Sequence, residues 1–149
     1  MMLGNIVEDF TLKDQYSNDF NLYKNLNQKV LLVFYPKDNS LVCSRQLADY
    51  NGNLEIFKNY GIKIVGVNIG EVLEHQSFCE QKGLKFPILS DIEKKVSRRF
   101  KALNLFGMNN RKIVLIDENK KVIFEKTMLS ISYLDTDEII RALKNDKII

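Results

Sequence analysis

Cys43 stands at a point in the sequence where a thiol could act as a nucleophile. Residues 30–35 form a continuous apolar run that Pro36 ends, and apolar residues at helical spacing follow Cys43. This order predicts a buried strand, a turn and a helix that begins at the cysteine. The free N–H groups and the positive dipole end of such a helix stabilise a thiolate. Ser40 can donate a hydroxyl hydrogen bond to the sulfur or to a substrate oxygen. The alternative is that Cys43 is a small buried apolar residue.

The composition is typical of a globular protein with one domain. The chain has 149 residues, of which 45% are hydrophobic and 28% are charged. We therefore expect a single domain over residues 1–149. A domain of this size buries roughly 70% of the surface of its unfolded chain, so it needs no disulfide to fold. Two cysteines are too few for a disulfide scaffold, and one histidine beside them argues against a structural zinc site.

The charge pattern and the N-terminal residues argue against nucleic-acid and membrane partners. The net charge is +3, from 22 basic and 19 acidic residues, and the basic residues are scattered along the chain. This pattern predicts a mixed-charge surface rather than a nucleic-acid patch. The first residues show no signal peptide, and no apolar run approaches the roughly 18 residues of a membrane span. We therefore expect a cytoplasmic protein, whose cysteines are normally reduced.

Strand patterns and helical patterns alternate along most of the chain. Short apolar segments predict strands at residues 9–12, 19–22, 30–35, 62–68 and 86–89, and a hairpin that joins residues 113–116 to residues 122–124. Apolar residues at helical spacing follow Cys43; Gly52 interrupts this pattern and Gly61 ends it. The same spacing recurs at residues 71–82, before Gly83.

Two further helices complete the predicted order. Ser90 and Asp91 offer caps for a helix that runs to about residue 100. A last helix begins near Asp135, where Glu138 has the spacing of a capping box. A βαβ start followed by ββα is the thioredoxin order. We therefore predict an α/β, thioredoxin-like fold: a central mixed sheet flanked by helices, with an N-terminal strand extension.

Residues 35–43 resemble the active-site loop of the peroxiredoxins. The family pattern is Pro, three residues, Thr or Ser, two residues and the peroxidatic Cys, which Pro36, Ser40 and Cys43 fit. The sequence Tyr-Pro-Lys-Asp-Asn is similar to that of the peroxiredoxin Q, or bacterioferritin comigratory protein, subfamily. The resemblance continues in the family order and spans nearly the whole chain to about Leu103, through residues 4–14, 61–70 and 75–91, and again at Arg111 and residues 115–117.

The chain departs from the family pattern at several positions. Leu41-Val42 replaces the usual Pro-Gly, which predicts a less constrained loop. Ser40 replaces the commoner Thr and keeps the hydroxyl while losing a methyl contact. Lys112-Ile113 replaces small hydroxyl residues after the arginine.

The resemblance implies that the protein is a cysteine peroxidase. Cys43 as thiolate would attack the terminal peroxide oxygen and become a sulfenic acid. Ser40 would hydrogen-bond and orient the peroxide. Arg111 would lie beside the sulfur and stabilise both the thiolate and the charge on the leaving oxygen. Pro36 would close over the thiolate and shield it from water.

The resemblance also implies how the sulfenic acid is resolved. Many members of the subfamily carry a second cysteine five residues after the first, but that position is Ala48 here. Other members place it on the third helix, and Cys79 occupies that position. Cys79 would then form an intramolecular disulfide with Cys43. Two cysteines on separate packed helices exceed the bridging distance, so local unwinding would accompany each cycle.

The remaining expectations concern partners and cofactors. The resemblance implies a peroxide substrate and recycling by thioredoxin or a similar dithiol, and we expect a monomer. No phosphate loop, haem motif or carboxylate–histidine cluster is present, so we predict no cofactor and no metal. His75, the only histidine, is interpreted as a solvated or capping helix residue rather than a general base.

Three alternative functions are consistent to different degrees with the sequence. The first is a one-cysteine peroxidase in which Cys79 is a buried spectator beside Phe78. The second is a redox sensor or chaperone-like binding protein that uses the same thiol to signal. A disulfide reductase of thioredoxin type is disfavoured, because no C-x-x-C motif follows Cys43 and no proline precedes the strand at Ile113.

Overall fold

Helices and strands alternate as the sequence predicts. A computed structural model of the chain describes residues 2–38, 40–129 and 131–149, so Asn39 of the loop motif lies outside the described residues. The strands are β1 (Thr11–Lys13), β2 (Asp19–Asn21), β3 (Lys29–Phe34), β4 (Ile62–Asn68), β5 (Ile88–Ser90), β6 (Arg111–Ile116) and β7 (Val122–Met128). The helices are α1 (Leu41–Gly52), α2 (Leu54–Asn59), α3 (Val72–Lys82), α4 (Lys95–Arg99) and α5 (Thr136–Asn145), and a short 3-10 helix covers Tyr23–Asn25.

The strands form one mixed sheet in the order β2-β1-β5-β4-β3-β6-β7. The central strand β3 is parallel to β4 and antiparallel to β6. Phe34, the last residue of β3, lies opposite Lys112 near the start of β6. Strands β1 and β2 extend the sheet at its far edge. This is the predicted central mixed sheet with an N-terminal strand extension.

Side chains of β3 alternate between two hydrophobic cores, one on each face of the sheet. Odd-numbered residues face the core that we call the cysteine core, which also takes side chains from α1, α2, α3 and α5 and contains both Cys43 and Cys79. Even-numbered residues face a second core, to which α4 and the N-terminal segment contribute. Both cysteines therefore lie on the same side of the sheet.

Two predicted helices differ from those observed. The apolar pattern predicted one helix through Gly52, but the helix ends there and α2 begins at Leu54. The intervening Asn53 donates from its side chain to the carbonyl of Asp49 at 2.7 Å, which provides that carbonyl with a partner at the end of α1.

The helix predicted from residue 91 begins later, at Lys95. The Asp91 carboxylate still accepts hydrogen bonds from N–H groups in the first turn of this helix, from the backbone of Val96 at 3.3 Å and of Ser97 at 2.6 Å. The last helix agrees with the prediction, because Asp135 and Glu138 form the complete capping box.

Within the described residues, none of the helices has both the length and the apolar character that crossing a membrane would require.

Candidate active site

Cys43 lies in the first turn of α1, at the carboxyl end of the central strand β3. Ser40 is the N-cap of this helix, and its Oγ accepts a hydrogen bond of 3.3 Å from the backbone N–H of Cys43. The Ser40 hydroxyl proton remains available as a donor. Leu41 and Val42, which replace the family's Pro-Gly, form the first two residues of the helix. The Cys43 side chain is fully buried.

Arg111 extends from the start of β6 to the sulfur of Cys43. Its Nη1 lies 3.3 Å from the Cys43 Sγ, and the residue is 1% exposed. The antiparallel pairing of β6 with β3 causes this approach, because it brings the start of β6 beside the point where β3 leads toward Cys43. The guanidinium and the N-terminus of α1 both place positive charge next to the sulfur.

Gln46 completes the surroundings of Arg111, a role that no sequence motif indicates. Its Oε1 accepts a hydrogen bond of 2.6 Å from the same Arg111 Nη1. Its Nε2 donates to the Tyr50 hydroxyl at 3.0 Å, and that hydroxyl donates to the Leu134 carbonyl at 2.6 Å. Burial raises the pKa of Tyr50, so the phenol stays protonated and can donate. The available signal was a polar residue three positions after Cys43, on the same face of the helix.

Pro36 borders an open groove beside the segment that precedes Cys43. The groove has a volume of about 630 Å³, and its other walls include Asp38, Asn68, Gly70 and Met108. Pro36 itself is half-buried. Its action as a cover for the thiolate stays a prediction.

His75 is buried, so the expectation of a solvated or capping residue was wrong. Its Nδ1 lies 2.6 Å from the Asp38 Oδ2, and its side chain is 0% exposed. The expectation failed because His75 lies on the buried face of α3, together with Phe78 and Cys79. Tyr35 donates to the other carboxylate oxygen of Asp38 at 2.6 Å.

Cys79 lies on α3 in the cysteine core and is 1% exposed. Burial, together with the negative charge of Asp38, raises the pKa of its thiol to about 12. Both cysteines are free. The structure thus brings Ser40, Cys43 and Arg111 into one site and holds Cys79 on a separate helix of the same core.

The described part of the chain contains no group of three or more His, Cys, Asp or Glu side chains that could hold a metal ion. The site consists of one thiol with a guanidinium, a hydroxyl and a helix N-terminus around it. This arrangement suits nucleophilic attack by sulfur with charge stabilisation at the atom attacked.

Comparisons with known proteins relate the chain to peroxiredoxins. Residues 3–125 match the AhpC/TSA family. A protein of Helicobacter pylori strain J99, provisionally named peroxiredoxin bcp, is 32% identical over 115 residues, which cover 75% of this chain and 76% of that protein. The chloroplastic peroxiredoxin Q of Gentiana triflora is 29% identical over 121 residues, which cover 80% of this chain. The match spans only 56% of the plant protein.

Solved structures of similar proteins share the fold. A cysteine-to-serine variant of PrxQ from Xylella fastidiosa has a TM-score of 0.88 at 23% identity, with 99% of this chain and 98% of that chain covered. Reduced 2-Cys peroxiredoxin from Plasmodium vivax has a TM-score of 0.89 at 24% identity, with 99% and 98% covered. Both similarities confirm the thioredoxin-like arrangement of the sheet and helices.

Proposed function

Since the chain belongs to the AhpC/TSA family and is a peroxidase of the peroxiredoxin class, we propose that it reduces hydrogen peroxide and organic hydroperoxides with Cys43 as the nucleophile. The observation that carries this assignment is the approach of the Arg111 Nη1 to within 3.3 Å of the Cys43 Sγ in the first turn of α1. The sulfur attacks the terminal peroxide oxygen, an S–O bond forms and the O–O bond breaks. Cys43 becomes a sulfenic acid, and the leaving oxygen takes a proton to give water or an alcohol.

Four neighbouring residues support this step. Arg111 stabilises the negative charge as it passes from sulfur to the leaving oxygen, and Gln46 holds the guanidinium in place. Ser40 caps the helix at Cys43 and offers its hydroxyl proton to the peroxide. Pro36 limits the access of water from the groove.

Cys79 resolves the sulfenic acid in this proposal. The Cys79 sulfur attacks the Cys43 sulfur, an S–S bond forms, the S–O bond breaks and water leaves. Both cysteines belong to one core of one chain, and residue 48, the near alternative, is alanine. Because the two cysteines are on separate helices and both are buried, the reaction requires local opening of α1, α3 or both.

We also propose a reductant, an oligomeric state and a location for the protein. A dithiol protein such as thioredoxin attacks the exposed disulfide and returns both cysteines to thiols. The protein acts as a monomer in the cytoplasm, with a disulfide inside one chain. The absence of a C-x-x-C motif still argues against a disulfide reductase.

Peroxide consumption in the presence of thioredoxin, thioredoxin reductase and NADPH tests the main proposal. We expect turnover in the wild type and no turnover in Cys43→Ser, whose circular dichroism spectrum should match that of the wild type. Peroxidase activity in Cys43→Ser above a small fraction of the wild-type rate would reject the assignment of the nucleophile.

The fate of one equivalent of peroxide tests the role of Cys79. Non-reducing peptide mapping should find a Cys43–Cys79 disulfide in a species that sediments as a monomer. Cys79→Ser should consume the first equivalent, accumulate sulfenic acid and over-oxidise more readily. If Cys79→Ser instead cycles at the wild-type rate with thioredoxin, the protein is a one-cysteine peroxidase. A protein that reacts once and then changes partner without turnover would be a sensor.

A further inference from the structure

Asp38 and His75 join the two parts of the chain that carry the cysteines. Asp38 lies in the segment that precedes Cys43, and His75 lies on α3, one helical turn before Cys79. The Asp38 Oδ2 and the His75 Nδ1 are 2.6 Å apart. One side-chain pair therefore connects the approach to the first cysteine with the helix of the second.

The surroundings hold this pair in a fixed geometry. The His75 side chain is 0% exposed and the Asp38 side chain 10% exposed. Tyr35, whose pKa is raised by burial and by Asp38, stays protonated and donates to the Asp38 Oδ1 at 2.6 Å. A Cβ atom on Gly70 would lie 3.1 Å from the His75 Cε1, so the imidazole is packed closely on that side as well. The His75 Nε2 has no hydrogen-bond partner among the described residues, so Asp38 is the polar contact that orients the ring.

Attack by Cys79 is disfavoured while α3 packs against the segment that contains Asp38. A thiolate is the attacking form of cysteine, and the Cys79 thiol is buried with its pKa raised to about 12. The negative charge of Asp38 contributes to that shift. Movement of α3 away from the Asp38 segment exposes the thiol to water and separates it from this charge, and the same movement must break the Asp38–His75 pair.

We infer that the Asp38–His75 pair is a latch that holds α3 closed on the segment preceding Cys43, and that breaking this latch limits the rate at which Cys79 resolves the Cys43 sulfenic acid. The inference rests on the proposed function, in which Cys79 attacks the oxidised Cys43 sulfur with formation of the S–S bond and release of water. While the latch stays closed, a second peroxide molecule competes for the sulfenic acid. It transfers one oxygen to the sulfur, which gives sulfinic acid and releases water or an alcohol.

The test follows the fate of Cys43 in His75→Leu, which removes the donor and keeps an apolar side chain in the buried position. Rapid mixing with one equivalent of peroxide, acid quenching and peptide mass spectrometry give the rates of sulfenic acid and disulfide formation. We expect about tenfold faster disulfide formation and less sulfinic acid at high peroxide, because a hydrogen bond to a charged group is lost. Sulfenic acid formation should keep the wild-type rate.

Two further variants separate the latch from a general loosening of α3. His75→Asn keeps an N–H close to the position of Nδ1 and should return the rate of disulfide formation toward the wild-type value. Phe78→Leu loosens the packing of the same helix and keeps the Asp38–His75 hydrogen bond, and it should leave that rate within about twofold of the wild type. Equal acceleration by Phe78→Leu and His75→Leu, at matched losses of stability, would overturn the latch. If His75→Leu does not fold, His75→Met removes the donor with a more adaptable apolar side chain and gives the same comparison, with the Asp38 charge beside Cys79 left in place.

Measurement of the wild type alone tests whether Cys79 resolves the Cys43 sulfenic acid. If one equivalent of peroxide gives no Cys43–Cys79 disulfide in the wild type, the proposed resolution by Cys79 is wrong and the latch is wrong with it. If the wild type forms the disulfide and His75→Leu forms it no faster, the latch alone is rejected.

Discussion

Gln46 accepts a hydrogen bond of 2.6 Å from Arg111, which lies 65 positions away in the sequence, and this bond fixes the guanidinium beside the sulfur of Cys43. The same amide donates to the buried Tyr50 hydroxyl. A neutral side chain thus orients the charge that the proposed reaction uses. Such a second contact matters because a donor stabilises a transition state only when it is held in position beforehand.

Replacement of Gln46 should slow the oxidation of Cys43. Gln46→Leu removes the acceptor for Arg111 at similar volume, and we expect the second-order rate constant with hydrogen peroxide to fall about tenfold. Gln46→Glu keeps an acceptor of the same length but loses the donor to Tyr50 and places a negative charge against Arg111, so its rate constant should fall as well. Stopped-flow measurement of both variants checks this, and an unchanged rate in Gln46→Leu would contradict the positioning role.

Arg111 should matter both for its charge and for its geometry. Arg111→Lys keeps the charge but loses the planar guanidinium that contacts sulfur and Gln46 together. We expect losses of about tenfold for Arg111→Lys and about 100-fold for Arg111→Ala in the rate constant with peroxide. The order of the two losses is the informative result, and an unchanged rate constant in both variants rejects the role.

The buried Cys79 thiol should make the reduced protein sensitive to alkaline pH. Its pKa is about 12 in the folded state against an ordinary value of 9.0, so above pH 9 the unfolded state releases this proton more readily. Stability from this group is complete below pH 9 and is lost as the pH rises toward 12. Between pH 9 and 10 the loss approaches about 1 kcal/mol.

Cys79→Ser replaces this thiol with a hydroxyl that does not titrate in this range, and it is the matched control. Urea unfolding of the reduced proteins at pH 8 and pH 10 should show a smaller loss of unfolding free energy in the variant. Tyr50, whose pKa is raised by burial, contributes equally to both proteins. Cys79 is only a lesser cause of the raised pKa of Tyr35, after burial and Asp38. Equal losses in the two proteins would contradict the prediction.

Asp49 should stabilise the docking of α5 on α1. Its Oδ2 accepts from both the backbone N–H and the hydroxyl of Thr136, each at 2.8 Å, at the first residue of α5. Asp49→Ala removes two hydrogen bonds to a carboxylate and should lower the unfolding free energy by about 2 kcal/mol. Asp137→Ala, at an exposed position of the same helical turn, should change it by less than about 0.5 kcal/mol. Urea unfolding at pH 7 compares the two.

Features that depend on neighbouring residues followed from the sequence by itself. The capping box of Asp135 and Glu138, the end of α3 at Gly83 and a helix start close to Cys43 are all local, because caps and helical spacing act over a few residues. The order of strands and helices followed for the same reason. The resemblance to peroxiredoxins then supplied Arg111, for which no local pattern exists.

Contacts between distant segments were decided only by the tertiary structure. His75 could equally have faced solvent, since its helix has a weak amphipathic pattern, and the packing of α3 against the segment with Asp38 determined its burial. Gln46 is an ordinary polar helix residue until the pairing of β6 with β3 brings Arg111 to it. The spacing of residues along a chain determines which side chains share one face of a helix or strand. Strand order and helix packing determine which other helices and strands that face contacts.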